Sequence, residues 1–521
     1  MDTSSRRQIS ISQWRIDSRE IRPISQQQLI AEIKGIHAGF VEVETECRKM
    51  VNDASSRSML NNLQWQALAI MHITLIAKHH DFLLASQQSS ASPALRFLPY
   101  KYSMPARMWL YGIYSFLELL YRHLPASFDH MLSFLYLAYT MLGYLSERVL
   151  ASKHVWIEFM GDLGRYHMII AEDSIDGDMW AEISRSRYLE ASNISPITGR
   201  LYHRLAILAK QNMLQELHYY AKSLCVVEPF VATRESILKL FVFVNTQNDQ
   251  RNYQLPAFDV AFIKVYNSLF TNNCTNRFDT ILDGFLVLLD NQLGQVTRKF
   301  LEQGYQISIS NSIAVLAFCS KENPVMKAIA LFEANKSYAQ SESTEDDSSH
   351  SMTLLRRAEK LSNSTLDIIL QRVGDPNCLS YVHCTLVFIY RISNVSGAIN
   401  LLAEAFPWPR LMIYLNTLLR SNINLDRIRA DEFPWLPVLE RGEMHPLPED
   451  YAMRGLGFAE SLYPKEWFLD DKREEEVKYH ELRIMEEHRK ERILWLACRI
   501  CDAGSWIRFD SSRPGFTVDD N

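Results

Sequence analysis

Apolar residues recur along this chain at helical spacing almost from end to end. Leu29, Ile33, Ile36, Phe40, Val43, Cys47 and Met50 follow one another at alternating steps of four and three, which places them on one stripe of an amphipathic helix. Leu63 to Ser86 is apolar nearly all round and predicts a central helix. From Met108 to Leu124, Trp109, Ile113, Phe116, Leu117 and Leu120 share one face. The opposite face carries Arg107, Tyr111, Tyr114 and Glu118, more aromatic than a plain solvated surface. Met131 to Leu145 is too short to span a membrane and contains Ser133 and Thr140, so it predicts a helix buried in the core. In the helix that opens at Trp156, a 100° wheel sets Trp156, Phe159, Leu163, Tyr166 and Ile170 on the core side. Glu158, Asp162 and Arg165 fall together, off that side.

A repeat comes next. Tyr188, Ala191 and Pro196 are echoed by Tyr220, Ser223 and Pro229, at offsets of 32, 32 and 33. An aromatic, a small residue and a helix-ending proline at that period predict stacked helical hairpins of the tetratricopeptide kind, an architecture that offers a groove to other chains. The polar segment 244–256 marks a boundary, and helical patterns resume from 257 to about 510. Residues 1–25 and the Ser-rich acidic insertion 339–352 are too polar to pack and are expected to stay disordered. A charged run from about Lys472 turns apolar toward Cys501, predicting one long helix with a solvated face.

Composition narrows the class. Among 521 residues there are only 18 glycines and 18 prolines, the residues that strand-and-turn folds consume, so the chain is expected to be all-α. A net charge of −6 argues against broad non-specific nucleic-acid binding but leaves room for a local basic strip. Eight scattered cysteines and no secretory signal fit reduced thiols in the nucleus or cytoplasm. Cys498 and Cys501 form a CxxC without a second pair, and paired carboxylates occur only within the charge run. No metal, cofactor, small-molecule substrate, membrane or enzymatic activity is expected.

Two separated sets of residues carry a family resemblance. One is MGDLGRY (160–166), followed by the Tyr188–Ala191–Pro196 frame with GRLYHRLAILA (199–209) and YYAKSL (219–224). The other is LPEDYAMRG (447–455), with YPKEWF (463–468) and ERILWLACRI (491–500). In that order they resemble the family shared by SMG-type nonsense-mediated-decay adaptors and EST-type telomerase subunits. The resemblance implies a 14-3-3-like tetratricopeptide domain over 26–245 and a helical-hairpin domain over 257–510. It implies a non-catalytic adaptor whose groove holds phosphorylated segments of RNA-decay factors in nonsense-mediated mRNA decay. In the telomeric branch it implies contact with single-stranded telomeric DNA or telomerase RNA. One branch carries a C-terminal PIN nuclease; with so few residues after the second set, none is expected here.

Carried over to this sequence, the resemblance assigns phosphate contact to Arg165 and Tyr166, with Asp162 at i−3 and Glu158 at i−7 able to steady the guanidinium. The alternative reading is an Asp162–Arg165 pair within the helix and Tyr166 in the core. The family's second phosphate-binding base, five places after a tryptophan, corresponds to Tyr114 after Trp109, so Lys101 or Arg107 would have to replace it. Where the family often reads Y-N-Q-LA, this chain has Tyr202, His203, Arg204, Leu205 and Ala206, which removes an asparagine and places His203 near the ligand. For nucleic acid, the candidate bases are Arg187, Arg200, Arg204 and Lys222. A third reading is a paralogue whose phosphate pocket has decayed, as Tyr114 hints.

Overall fold

The computed structural model describes residues 25–56, 59–171, 175–209, 212–247, 255–271, 277–335, 347–420, 423–435, 445–469, 473–474 and 477–518. They form two compact units, divided between Gly177 and Asp178.

The first unit contains α1 (Gln26–Ser55), α2 (Asn62–Ser86), α3 (Pro93–Lys101), α4 (Met104–Arg107), a π-helical segment (Met108–Tyr114) that runs on into α5 (Ser115–Arg122), α6 (Phe128–Arg148) and α7 (Lys153–Ile170). Side-chain capping boxes start α1 and α2, Ser25 with Gln28 and Asn61 with Gln64. The α1 stripe packs on α2 through Leu29, Ile33, Phe40 and Cys47, all buried. Leu75, Ile76, Phe82 and Leu83 of α2 meet Ile113, Phe116 and Leu135 in the same core.

The π segment is held from within. Widening a helix displaces carbonyls from their usual donors. Here His72 of α2 donates through Nδ1 to the Gly112 carbonyl at 3.0 Å, while its ring stacks on Phe116 at 4.7 Å. Burial pushes the His72 and His79 imidazoles down to about 4. Above the ordinary value of 6.5, folded and unfolded chains both hold these rings neutral. As pH falls below it, the unfolded chain takes up protons that the folded chain refuses until about 4, so stability declines across that window. At about pH 5 the expected loss is on the order of 2 kcal/mol per histidine. Titration of the imidazole resonances in the folded chain checks this: two that protonate near 6.5 would refute it.

The second unit opens with α8 (Ile175–Ile194), whose first turn crosses the division, and continues with α9 (Gly199–Leu208), α10 (Met213–Cys225) and α11 (Thr233–Gln247). These are the two predicted hairpins: Tyr188 and Tyr220 are buried in α8 and α10, and Pro196 and Pro229 come just after the helix ends. Next come α12 (Ala257–Thr271), α13 (Phe278–Val296), α14 (Phe300–Val315), α15 (Pro324–Asn335), α16 (Asp347–Gln371), α17 (Leu379–Ser393), α18 (Ser396–Ile399), α19 (Trp408–Leu418), α20 (Leu425–Arg429), α21 (Pro448–Met453) and α22 (Met485–Ala503). α14 and α17 are buried along most of their length; α14 packs on α10, α16, α17 and α21, and α17 on α22.

Several expectations change. The compact units part at 177/178 rather than within 244–256, because α10 packs on α12 and α14, and α11 on α12, which joins the repeat helices to the later part of the chain. Of the acidic insertion, 339–346 lie outside the described residues, whereas 347–352 form the first turns of α16. Residues 1–24 also lie outside, and Ser25 caps α1. The last long helix begins at Met485, not near 472. Among the described residues the all-α pattern holds apart from one C-terminal hairpin, β1 (Ile507–Asp510) antiparallel to β2 (Gly515–Val518), with Phe509 opposite Phe516. Among the described residues no helix is long and apolar enough to cross a membrane.

Candidate functional site

α7 carries the Arg-Tyr pair. It is buried on nearly every side from Trp156 to Gly164, Glu158 and Asp162 included, so the amphipathic wheel misplaces both carboxylates. Neither steadies Arg165: among the described residues no hydrogen bond or ion pair joins them to it. Arg165 is partly buried, and its Nε is shut off from solvent without a hydrogen-bond partner. Tyr166 is also partly buried, but its hydroxyl donates to Glu118 of α5 at 2.6 Å. Burial first, then that bond, raises the Tyr166 pKa well above its ordinary value, so the phenol stays a neutral donor. Beside the pair stand Trp109, stacked on Phe159 at 4.6 Å, and Tyr114, which occupies the place of the second base.

The substitutes for that base differ in fate. Arg107 makes a two-pronged pair with Glu44 of α1, at 3.1 and 2.9 Å, and lies over the Phe40 ring at 4.5 Å. Its fork is committed to joining α1 to α4, which corrects its candidacy for phosphate. Lys101 is exposed in the last turn of α3, with no contact that connects it to Arg165. His203 belongs to the second unit, where Nε2 lies 3.3 Å from Ser236 Oγ and the ring leans on Phe230. An anion at Arg165 would therefore meet one guanidinium and, close by, the carboxylate of Glu118. Sequence reasoning missed Glu118 and Glu44 as partners, although Glu118 stands one helical turn after Tyr114 on the aromatic face.

The basic residues proposed for nucleic acid do not form one exposed strip. Lys222 is buried: Nζ donates to the Tyr451 carbonyl at 3.3 Å and sits 4.1 Å over the Tyr202 ring. Burial, then Arg454, holds its pKa well below the usual lysine value. Its candidacy is thereby corrected, since a sealed ammonium cannot reach a phosphate. Arg187 pairs with Glu190 at 2.9 Å, Arg204 lies over the Tyr188 ring at 5.7 Å, and Arg200 is exposed at the start of α9.

LPEDYAMRG forms α21 and the turn after it, and it grips on two sides. Glu449 and Asp450 are fully buried. Arg489 of α22 meets Glu449 at 2.5 and 3.0 Å and also Glu481 at 3.0 Å, while His383 Nδ1 donates to Glu449 at 3.0 Å. Burial alone would raise the Glu449 carboxyl; Arg489 and His383 overcome it and hold that group far below the carboxylate range. Arg492 donates to both Asp450 oxygens, at 2.8 and 2.7 Å, and lies against the Phe433 and Trp467 rings at 4.6 and 4.7 Å, the two rings meeting edge to face at 5.3 Å. Leu447 N, Tyr463 and Trp467 also donate to Asp450. On the other side, Arg454 donates to the Asn193 carbonyl at 2.6 Å, Gly455 lies against Pro196, and Leu456 bridges to Val226. The motif thus fastens the repeat helices to α17 and α22. Arg489 and Arg492, expected on a solvated face, are almost entirely buried.

Residues 184–460, more than half of the chain, match the family model described as the Est1 DNA/RNA binding domain. The telomerase-binding protein EST1A of Danio rerio is 35% identical over 92 residues, 17% of this chain and 6% of that protein. The nonsense-mediated mRNA decay factor SMG7 of Arabidopsis thaliana is 32% identical over 97 residues, 18% of this chain and 9% of that protein. The matched stretch is thus a small part of either relative. A solved structure of the C. elegans SMG5–SMG7 complex aligns with 94% of this chain and 99% of its own at 10% identity, with a TM-score of 0.47.

Proposed function

This chain belongs to the Est1 DNA/RNA-binding family, and from that premise we propose that it is a non-catalytic adaptor which holds segments of RNA-decay factors during nonsense-mediated mRNA decay. One observation carries the reading. Arg165 is a partly buried cation with no carboxylate paired to it among the described residues, which leaves its guanidinium fork open to an anion of a partner. The match to a nonsense-mediated decay factor supports the pathway. Tyr166 has its one hydroxyl proton committed to Glu118, whose carboxylate repels a dianion, so phosphate adds little to affinity here.

Calorimetry with paired phosphoserine and unmodified peptides from decay factors tests this. The expected result is binding that Arg165→Glu weakens about tenfold, with a phosphate preference that Glu118→Gln increases. Binding untouched by Arg165→Glu overturns the reading.

A second reading, single-stranded telomeric DNA or telomerase RNA as ligand in telomere maintenance, is favoured by the matched family description and by Arg200 and Arg204 within its span. Buried Lys222 and paired Arg187 weigh against it. A mobility-shift assay at low salt with telomeric repeats decides it, because phosphate contacts made by the exposed Arg200 and the half-buried Arg204 must respond to Arg200→Glu with Arg204→Glu.

A further inference from the structure

Cys225 is the last residue of α10, and Cys319 follows the end of α14, the helix on which α10 packs. The two stand 94 positions apart in the chain, yet their thiols are hydrogen-bonded to one another. Cys225 is buried at 8% exposure, whereas Cys319 is half-buried and reaches solvent. Sulfurs in such contact need only a short movement to reach the bonding distance of about 2 Å.

The backbone that carries Cys319 is strained. Ala317, Phe318 and Cys319 have φ of 47°, 53° and 57°, three successive residues in the left-handed region, none of them glycine. Ending α14 accounts for the first alone. The Phe318 amide donates to the Ile313 carbonyl at 2.9 Å, a helix stop that asks for one left-handed residue, here Ala317. Phe318 is then pinned by burial and by an edge contact with Phe270 at 4.9 Å. The added left-handed residues set Cys319 against Cys225. Strain kept in a folded chain gathers where a side chain must be aimed for use.

We infer that Cys225 and Cys319 form a modification site, at which a peroxide oxidises the pair to a disulfide that staples α10 to the turn after α14. The half-buried thiol reacts first. Cys319, as its thiolate, attacks one peroxide oxygen and becomes a sulfenic acid, and the other oxygen leaves as water once protonated. Cys225 then attacks that sulfur and gives its own proton to the departing hydroxide, which releases a second water. Two thiols and one hydrogen peroxide thus become one disulfide and two waters, the peroxide taking both electrons. The environment fits this order. Burial first, then the bond to Cys319, raises the Cys225 thiol well above its ordinary value, while Arg234 at the start of α11 works against both. Cys225 is therefore inert toward peroxide by itself and suited to close on a sulfur already activated beside it. A dithiol reductant returns the pair to thiols. Both cysteines belong to the second unit, and the inference does not rest on the function proposed above.

The test treats the full folded chain with hydrogen peroxide, blocks remaining thiols by alkylation, and maps the eight cysteines by mass spectrometry. The expected product is a peptide pair joined through Cys225 and Cys319 within one chain. The oxidised chain should unfold in urea at a midpoint higher by about 0.5–1 M, and dithiothreitol should reverse the shift. Cys225→Ser should leave a sulfenic acid at Cys319 that dimedone traps, whereas Cys319→Ser should leave Cys225 unmodified. The wild-type peptide map decides the proposal even where a serine variant fails to fold. Absence of the Cys225–Cys319 pair, a Cys498–Cys501 link in its place, or a link that joins two chains overturns it.

Discussion

Asp450→Asn lowers the unfolding free energy of the second unit by about 3–5 kcal/mol. The substitution keeps the shape of the side chain and removes its charge. What remains is the Arg492 guanidinium, 2% exposed, packed against Phe433 and Trp467, with Nε and one terminal nitrogen already lacking hydrogen-bond partners. A buried cation stripped of its paired carboxylate has no water to turn to. Tyr463, Trp467 and the Leu447 amide also each lose a charged acceptor. Glu449→Gln costs less, because Arg489 keeps the Glu481 carboxylate at 3.0 Å.

A double-mutant cycle completes the argument. Joining Arg492→Met to Asp450→Asn removes both charges and places an apolar side chain against the two rings, so most of the loss is recovered. Urea unfolding of the four species measures it. A loss below about 1 kcal/mol for Asp450→Asn, or a cycle with no coupling, means that water reaches Arg492 and the site is softer than its geometry implies.

This pairing shows where sequence reading stops. The α1 stripe and the 32-residue repeat were legible because each is a local pattern written on one face of one helix or one hairpin. The sequence also marks LPEDYAMRG and the Tyr188–Ala191–Pro196 frame as conspicuous, though more than 250 positions apart. That they touch was not legible: Gly455 lies on Pro196, Arg454 on Asn193, and Lys222 reaches the Tyr451 carbonyl. A conspicuous residue can be an anchor as readily as a ligand contact, and Lys222 is the case in point. Arg489 and Arg492 were hidden in a charge run for the same reason, since their partners come about 40 positions earlier and leave no mark on the periodicity around them. In α7 the wheel failed otherwise. It assumes that polar means solvated, whereas Glu158 and Asp162 are buried within a helix enclosed almost all round. Arg165 and Tyr166 remain together on that helix, but the phosphate site read from them lost Arg107 to Glu44 and met Glu118 instead.

The junction between those two motifs also yields the second large effect, Gly455→Ala. Two costs fall on one methyl group. Gly455 has φ +84°, in the left-handed region where a side chain costs on the order of 1 kcal/mol or more. A Cβ there would also stand 2.0 Å from the Pro196 carbonyl oxygen and 2.7 Å from its carbon. These are backbone atoms and cannot swing aside as a flexible side chain would, so the turn between α8 and α9 has to move. Arg454 is bonded to Asn193 in the last turn of α8, and Val226 is bridged to Leu456, so the movement strips those contacts too. Gly374 supplies the control, with φ +82° and open space around the missing Cβ. Gly374→Ala therefore costs only the conformational part, about 1 kcal/mol, while Gly455→Ala costs at least about 3 kcal/mol. Urea midpoints give the totals, and hydrogen exchange locates the damage: amides at the α8–α9 turn lose protection in Gly455→Ala and keep it in Gly374→Ala. Equal costs for the two substitutions would mean that the repeat helices are held to α21 without this close approach, through the Arg454 and Lys222 bonds and the Val226–Leu456 bridge.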